Sequence, residues 1–166
     1  MSKRSWFLVI GIAFAIHNGE ESLTAQDLLR FMQSEAPGFM SSLYAGITVS
    51  QLQANLIMIT VLGFIVTALA VRFPASSYAF LMMVFAAVLG LNALLHIALA
   101  VNSWTYMPGL VTGLLITLPV SVIVLLRAKR EAWVSTPAFW VVFPAAFLIH
   151  GPLLGMLLSA SLLLMC

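Results

Sequence analysis

The sequence predicts an all-α fold, an integral membrane bundle of five transmembrane helices. Hydrophobic residues make up 63% of the 166 residues and charged residues only 7%, and the mean hydropathy is +1.12. These values lie far outside the usual balance of a soluble domain. The apolar residues also fall into five blocks, and a membrane-spanning helix needs about 20 residues. Residues 1–166 therefore have room for one transmembrane domain and for no separate soluble domain.

The first span is predicted over residues 6–21. Its apolar run ends at Ile16, which is too early to cross a hydrocarbon layer of about 30 Å. The helix must therefore continue through His17, Glu20 and Glu21, which places these ionisable groups within the membrane or at its edge. Such groups are penalised by roughly 2.5–3.5 kcal/mol each on insertion scales, so they usually face a protein interior and mark a functional site.

A cleaved signal peptide is the alternative interpretation of this N-terminus. Lys3 and Arg4 precede a short apolar run, which is the general outline of such a segment. However, the small residues of an Ala-x-Ala cleavage site are missing near Asn18. We therefore expect the first helix to be retained as a span.

Between the first two spans, the sequence predicts one amphipathic helix at the membrane interface. Its residues divide between an apolar side and a charged side: Leu28, Leu29, Phe31 and Met32 on the first, Asp27 and Arg30 on the second. That distribution is typical of helices that lie in the plane of the interface. The Pro37-Gly38 pair is expected to end this helix before the chain re-enters the membrane.

The remaining spans are predicted over residues 52–71, 78–101, 107–126 and 138–165. Pro108 suits the first turn of the fourth span. Gly109 and Gly113 make a small-x-x-x-small face, which allows two helices to approach closely. We expect close helix packing at this face.

Loop charges predict the orientation of the bundle. Six basic residues belong on one side of the membrane: Lys3, Arg4, Arg72, Arg127, Lys129 and Arg130. The opposite side receives only Arg30. The positive-inside rule therefore places the N-terminus in the cytoplasm and the C-terminus outside, in a multi-pass protein of the cell membrane.

The histidines of the chain fall at similar depths in this topology. Spans one, three and five run in the same direction, and His17, His96 and His150 all lie in their middle or outer halves. His17 and Glu21 are four residues apart, as are Asn92 and His96, so each pair shares one face of its helix. The sequence therefore predicts that these side chains meet in one pocket.

Imidazole nitrogens and carboxylate oxygens together suit a divalent metal, most naturally zinc, with iron or manganese as alternatives. The predicted metal ligands are His17, Glu21, His96 and His150. The predicted catalytic residues are Glu20, Glu21 and Asn92, with a carboxylate as general base and the amide as an orienting or polarising group. A zinc ion held by three protein ligands keeps a position for water, whose pKa falls to about 7.

Taken one at a time, these residues allow plainer interpretations. A single histidine in a membrane helix often forms a hydrogen bond between helices, and Asn92 could tie two helices together. Glu20 and Glu21 could be the exposed end of the first span, at the start of the amphipathic segment. Together, these interpretations require several independent coincidences of depth and face, so we favour a shared site.

Three segments resemble the HXXEE-domain family of small integral membrane proteins. They are His17-Asn18-Gly19-Glu20-Glu21, Asn92-Ala93-Leu94-Leu95-His96 and Tyr106-Met107-Pro108-Gly109-Leu110-Val111-Thr112-Gly113. The resemblance covers nearly the whole chain and implies a helical membrane protein that binds metal. It carries over to His17, Glu20, Glu21, Asn92 and His96 and supplies no substrate, whereas His150 depends on the depth comparison alone.

The function predicted from the sequence is a metal-dependent membrane hydrolase that acts on a lipid or another hydrophobic small molecule. The alternatives are a carrier for protons or metal ions and a structural or accessory subunit. The expected partners are the lipid bilayer and the apolar substrate, since the few basic residues lie in loops and do not form the basic face that nucleic-acid binding requires. The sequence leaves the oligomeric state open, and the single Cys166 excludes an intramolecular disulfide.

Overall fold

The structure of the protein is a computed structural model that describes residues 1–153. Those residues form helices and connecting segments and contain no strand, which confirms the all-α prediction for this part of the chain. The helices are α1 (Lys3–Leu23), α2 (Ala25–Ser34), α3 (Gly38–Tyr44), α4 (Val49–Arg72), α5 (Ser76–Ser103), α6 (Leu110–Thr112), α7 (Leu118–Arg130) and α8 (Thr136–Leu148). Two π-helical turns, Gly113–Thr117 and Ile149–Leu153, follow α6 and α8.

Within residues 1–153, three helices are long and apolar enough to cross a membrane. They cover Val49–Arg72, Ser76–Ser103 and Leu110–Arg130, the last of which joins α6, the first π-helical turn and α7. These helices correspond to the predicted second, third and fourth spans. The apolar helix Thr136–Gly151 is shorter, and residues 154–165 of the predicted fifth span lie outside the described residues. The count of five spans and their orientation therefore stay predictions.

Helix α1 continues through the polar residues, as its short apolar run predicted. The Ser2 hydroxyl caps its beginning by accepting a hydrogen bond from the Ser5 backbone N–H at 3.2 Å, and the helix runs on to Leu23. Beyond its end, the Thr24 hydroxyl donates to the backbone carbonyl of Glu20 at 2.7 Å. The whole His-x-x-Glu-Glu motif is therefore held on one rigid helix.

Helices α1 and α4 pack against each other in antiparallel directions. In order along α1, the contacts are Gly11 on Thr67, Phe14 on Gly63, Asn18 on Thr60 and Ser22 on Gln53. A Cβ at Gly11 would lie 2.7 Å from Oγ1 of Thr67, so the glycine is required for this close approach. The Asn18 amide donates to the Thr60 hydroxyl at 2.7 Å. This packing fixes the height and rotation of α1 in the bundle.

Helix α2 is amphipathic, as predicted, but protein and not lipid covers its apolar side. Leu28, Leu29, Phe31 and Met32 are each between 2% and 6% exposed. They pack with residues from α4, from the end of α5 and from the segment after it: Leu52, Leu56, Leu99 and Met107. The sequence predicted one helix in this stretch, whereas the structure has a second helix, α3, which begins after Pro37. Helices α2 and α3 together form a cover over one end of the bundle.

The two ends of the bundle differ in composition. At the end where α1 begins, the Arg127 guanidinium lies 5.3 Å from the Trp6 ring centre, and Phe7 packs edge-on against Trp133 at 5.7 Å. We call this the basic end, because the basic residues of α1, α4 and α7 gather there. The opposite end, which contains the His-x-x-Glu-Glu motif and lies under α2 and α3, is called the polar end.

Candidate metal centre

Three ionisable side chains converge at the polar end. His17 and Glu21 come from successive turns of α1, and His96 comes from α5. Each offers one donor atom, and all three atoms lie within 4.8 Å of one another. The Glu21 Oε1 atom lies 2.9 Å from Nε2 of His96 and 3.6 Å from Nε2 of His17. The predicted meeting of these two helices at one polar point is therefore found in the structure.

The spacing of these donors fits a small divalent cation. Ligands about 2.0–2.1 Å from a tetrahedral zinc stand roughly 3.3–3.4 Å from one another, and the two distances to Glu21 Oε1, 2.9 and 3.6 Å, bracket that value. The His17 and His96 rings meet edge-on, with their planes at 88°, and Nε2 of each ring approaches Oε1 of Glu21. His17 is 0% exposed, Glu21 8% and His96 2%, so the donors are separated from bulk water.

Asn92 faces the same point from α5. Its amide nitrogen lies 2.6 Å from Nε2 of His17 and 3.3 Å from Nε2 of His96. The predicted sharing of one helical face by Asn92 and His96 is therefore correct. Because a half-turn of the amide exchanges its N–H groups for its oxygen, Asn92 can present either a hydrogen-bond donor or an oxygen atom as a fourth ligand.

Glu20 points away from these donors, although it is adjacent to Glu21 in the sequence. Its Oε1 accepts hydrogen bonds from the Tyr106 hydroxyl at 2.8 Å and the Gly109 N–H at 3.2 Å. Its Oε2 accepts from the Thr112 N–H at 2.9 Å and from the Thr112 hydroxyl at 2.6 Å. Burial, and then the hydrogen bond to Glu20, raise the pKa of the Tyr106 hydroxyl above its usual value. Glu20 therefore anchors the start of the Leu110–Arg130 helix to α1.

Thr112 connects Glu20 with the centre. Its Oγ1 lies 2.8 Å from Nδ1 of His17 while it donates to Glu20. The residue stands just before the π-helical turn Gly113–Thr117, and turns of this kind are frequent at functional sites. A Cβ on Gly113 would lie 3.6 Å from the Cα of Ala93, an ordinary contact distance, so this turn packs against α5 but the packing does not require glycine.

Gly109 forms one wall of the centre. The small-x-x-x-small pattern had suggested that it lies on the face of a helix, and this prediction is wrong because Gly109 precedes α6. Its φ is +86° and it precedes the first residue of α6. A Cβ at this position would lie 2.5 Å from Cε1 and 2.9 Å from Nδ1 of His96, and 3.2 Å from Cγ of Glu21. Glycine is therefore required both by the backbone conformation and by the space that two candidate ligands occupy.

His150 does not join the group of donors that lie within 4.8 Å of one another. The π-helical turn that contains it, Ile149–Leu153, packs against α5, the helix that carries His96. Its Nε2 and the Nδ1 of His96 are both buried without a hydrogen-bond partner among residues 1–153. Of the four predicted ligands, the structure thus brings together His17, Glu21 and His96 and leaves His150 beside them.

Sequence reasoning missed the contributions of Thr112, Gly109 and Tyr44. Burial, with a further contribution from the Glu21 carboxylate, raises the pKa of Tyr44 above its usual range, which places this residue of α3 near the centre. The sequence signal for Thr112 and Gly109 was their position in the segment from Tyr106 to Gly113. That segment was interpreted as helix packing, and its polar groups were not connected to His17.

Comparison with known proteins identifies one relationship. Residues 8–124 match the family model described as "Protein of unknown function with HXXEE motif", so the match covers more than half of the chain. Neither the curated proteins nor the solved structures contain a match to this chain. The matched region includes His17, Glu21 and His96, which we call the donor group. It also includes Thr112, and it ends before His150.

Proposed function

The chain belongs to the HXXEE family, whose description names no activity, and we propose from the geometry of its site that it is a metal-dependent membrane enzyme. The observation that carries the proposal is the convergence of His17, Glu21 and His96, whose donor atoms lie within 4.8 Å of one another in a buried site. Such a concentration of ionisable groups between apolar helices is costly unless the groups bind something together.

The donor set favours a hydrolase. Two histidines and one glutamate are a ligand set of catalytic zinc sites, which keep a further position for water or substrate. Zinc is the first choice, and iron or manganese would accept the same ligands. When bound, such an ion would polarise a substrate carbonyl and lower the pKa of a water ligand to about 7.

The surrounding side chains have separate roles in this proposal. Oε1 of Glu21 faces both imidazoles, and its second carboxylate oxygen is our candidate for the general base. The Asn92 amide faces the same space and would stabilise negative charge that develops on a substrate oxygen. His150, beside the donor group, would complete the polar wall of the pocket.

The position of the site supports an apolar substrate. It lies among helices whose outward surfaces expose large hydrophobic residues, and three of those helices are long and apolar enough to cross a membrane. We propose that α1 and α8 cross as well, in the five-span arrangement with a cytoplasmic N-terminus. A lipid or another hydrophobic small molecule would then reach the centre laterally from the bilayer.

A carrier for protons or metal ions is the second candidate, since the same residues could load an ion. A route through the membrane would require further ionisable groups toward the basic end. Among the described residues, the buried histidine and acidic side chains all belong to the candidate metal centre, and the other buried polar groups include the hydroxyls of Thr67 and Ser121. The geometry therefore favours an enzyme over a carrier. The third candidate is a structural role, in which the polar cluster only pins the helices together.

Metal analysis tests the proposal directly. The protein, purified without a histidine tag, should contain about one equivalent of zinc or iron per chain. The His17→Ala and His96→Ala variants should lose the metal. Asn18→Ala, a change on the same helix as His17 that removes only the hydrogen bond to Thr60 of α4, should retain it. Wild-type protein that stays metal-free after incubation with zinc, iron and manganese would exclude the metal-dependent enzyme.

Activity is tested with fatty-acyl esters of increasing chain length in detergent or vesicles. We expect hydrolysis that increases with chain length and that is lost in Glu21→Gln. Equal activity of wild type and Glu21→Gln would contradict the assignment of the base, whereas absence of hydrolysis by wild type would leave the structural role as the better explanation.

A further inference from the structure

The hydrogen bonds around Glu20 determine where the protons of its partners lie. An ionised carboxylate only accepts hydrogen bonds, and four donors on one carboxylate favour its ionised form. The Thr112 O–H must therefore point at Oε2 of Glu20, 2.6 Å away. Once its proton is used in this way, the Thr112 oxygen has only lone pairs left for any other partner.

His17 is that other partner. Its Nδ1 lies 2.8 Å from the Thr112 oxygen, and a hydrogen bond over this distance requires the proton to be on Nδ1. A neutral imidazole carries a single N–H, so Nε2 of His17 has a lone pair and no proton. This nitrogen lies 3.6 Å from Oε1 of Glu21 and 2.6 Å from the Asn92 amide nitrogen, so its lone pair can accept a hydrogen bond from the amide or bind a metal ion.

We propose that Glu20, acting through the Thr112 hydroxyl, fixes His17 in the tautomer with hydrogen on Nδ1 and so holds the Nε2 lone pair on the candidate metal centre. Glu20 and Thr112 are then positioning residues and neither ligands nor bases. The two adjacent glutamates then have different tasks: Glu21 supplies a donor atom to the candidate metal centre, and Glu20 orients His17, which lies one turn earlier on α1. Its consequence for metal affinity rests on the proposed function, whereas the tautomer itself does not.

The link between Glu20 and His17 depends on the hydroxyl group of Thr112. Serine can donate to Glu20 and accept from His17 as threonine does, whereas valine has nearly the same shape as threonine and can do neither. Outer partners of metal-bound histidines typically account for about 10–100-fold in metal affinity. Thr117 provides a matched control on the same helix, because its hydroxyl is buried and, in the part of the chain that the structure describes, donates to the Gly113 carbonyl alone, at 3.1 Å.

The experiment compares wild type with Thr112→Val, Thr112→Ser and Thr117→Val, each as the full-length protein. Nitrogen NMR of histidine-labelled, metal-free protein reports the tautomer of His17, with His17→Gln used to assign its signal. We expect the Nδ1–H tautomer in wild type, Thr112→Ser and Thr117→Val, and a mixed or reversed population in Thr112→Val. Zinc affinity should fall about 10–100-fold in Thr112→Val and stay within about twofold in the other two.

The outcomes separate this inference from the proposed function. A wild-type His17 with hydrogen on Nε2, or a Thr112→Val variant with unchanged tautomer and unchanged affinity, overturns the inference while leaving the metal centre intact. If no variant binds metal but Thr112→Val still changes the tautomer, the positioning role stands and the proposed function fails. A fall in affinity that Thr117→Val shares would indicate a general loss of helix packing and would overturn the inference.

Discussion

The basic end and the polar end of the bundle bury side chains for different physical reasons. At the basic end, Phe7, Met82 and Val142 are 0% exposed and pack in an apolar cluster. At the polar end, His17 is equally buried, but each of its ring nitrogens faces a named polar partner. Apolar packing tolerates exchange between residues of similar volume, whereas a buried polar group is costly when one partner is missing. Stability should therefore depend mainly on the first end and chemistry on the second.

The largest effect on stability is expected from Phe7→Ala at the basic end. Removing a fully buried aromatic ring leaves a cavity and should lower the free energy of unfolding by about 3–5 kcal/mol. Denaturant unfolding in detergent measures this effect, and Phe39→Ala is the control because Phe39 is 72% exposed. The folded fraction of Phe7→Ala should still bind metal with the wild-type affinity, and a selective loss of metal would break the division between the two ends.

Gly109→Ala, at the polar end, should lower both the stability of the protein and its metal content. The left-handed backbone and the approach of the new Cβ to His96 and Glu21 should cost roughly 1–3 kcal/mol in unfolding free energy and displace two candidate ligands. The control is Gly19→Ala on α1, where a Cβ would meet nothing within 4 Å. Metal content and unfolding should be measured on both variants. Wild-type metal content in Gly109→Ala would show that the donors are not held where we place them.

Glu21→Gln should sharpen the comparison, since it removes a charge with little change of shape. We expect metal affinity to fall by more than the 10–100-fold that an outer partner contributes. Unfolding of the metal-free protein should change far less than in Phe7→Ala, because the amide oxygen can still accept hydrogen bonds. Glu35→Gln, at an exposed position after α2, is the matched control. Equal affinities in the two variants would remove Glu21 from the ligand set.

The smallest effect on stability is expected between the two ends, where the Asn18 amide donates a hydrogen bond to the Thr60 hydroxyl. Interhelical hydrogen bonds in membrane proteins contribute about 0.6 kcal/mol on average. A double-mutant cycle of Asn18→Ala and Thr60→Val should therefore give a coupling energy of about that size, with metal content unchanged. A coupling above about 2 kcal/mol would indicate that this contact, and not the apolar core, fixes α1 in place.

The parts of the structure that follow from helical periodicity could be predicted from the sequence. The length of α1, the three apolar helices and the shared face of Asn92 and His96 depend on residues close together in the chain. The depth comparison also brought His17 and His96 together correctly, because two helices that run in the same direction convert sequence position into relative height.

Other features depend on packing between distant segments, which periodicity does not contain. Thr112 is 95 residues from His17, and nothing in its local sequence distinguishes it from a helix-packing threonine. Gly109 looked like a packing glycine because its positive φ depends on how the chain enters α6. Likewise, the apolar side of α2 is the same whether lipid or protein covers it, and only the structure shows its contacts with α4 and α5.

The short junction between α1 and α2 links the orientation of α2 to the last turn of α1. Only Thr24 separates the two helices, and its hydroxyl is tied to the carbonyl of Glu20. Such a short connection has no slack, so any outward swing of α2 pulls on the last turn of α1, where Glu21 lies. The orientation of α2 and the position of the Glu21 backbone are thus linked through a single residue.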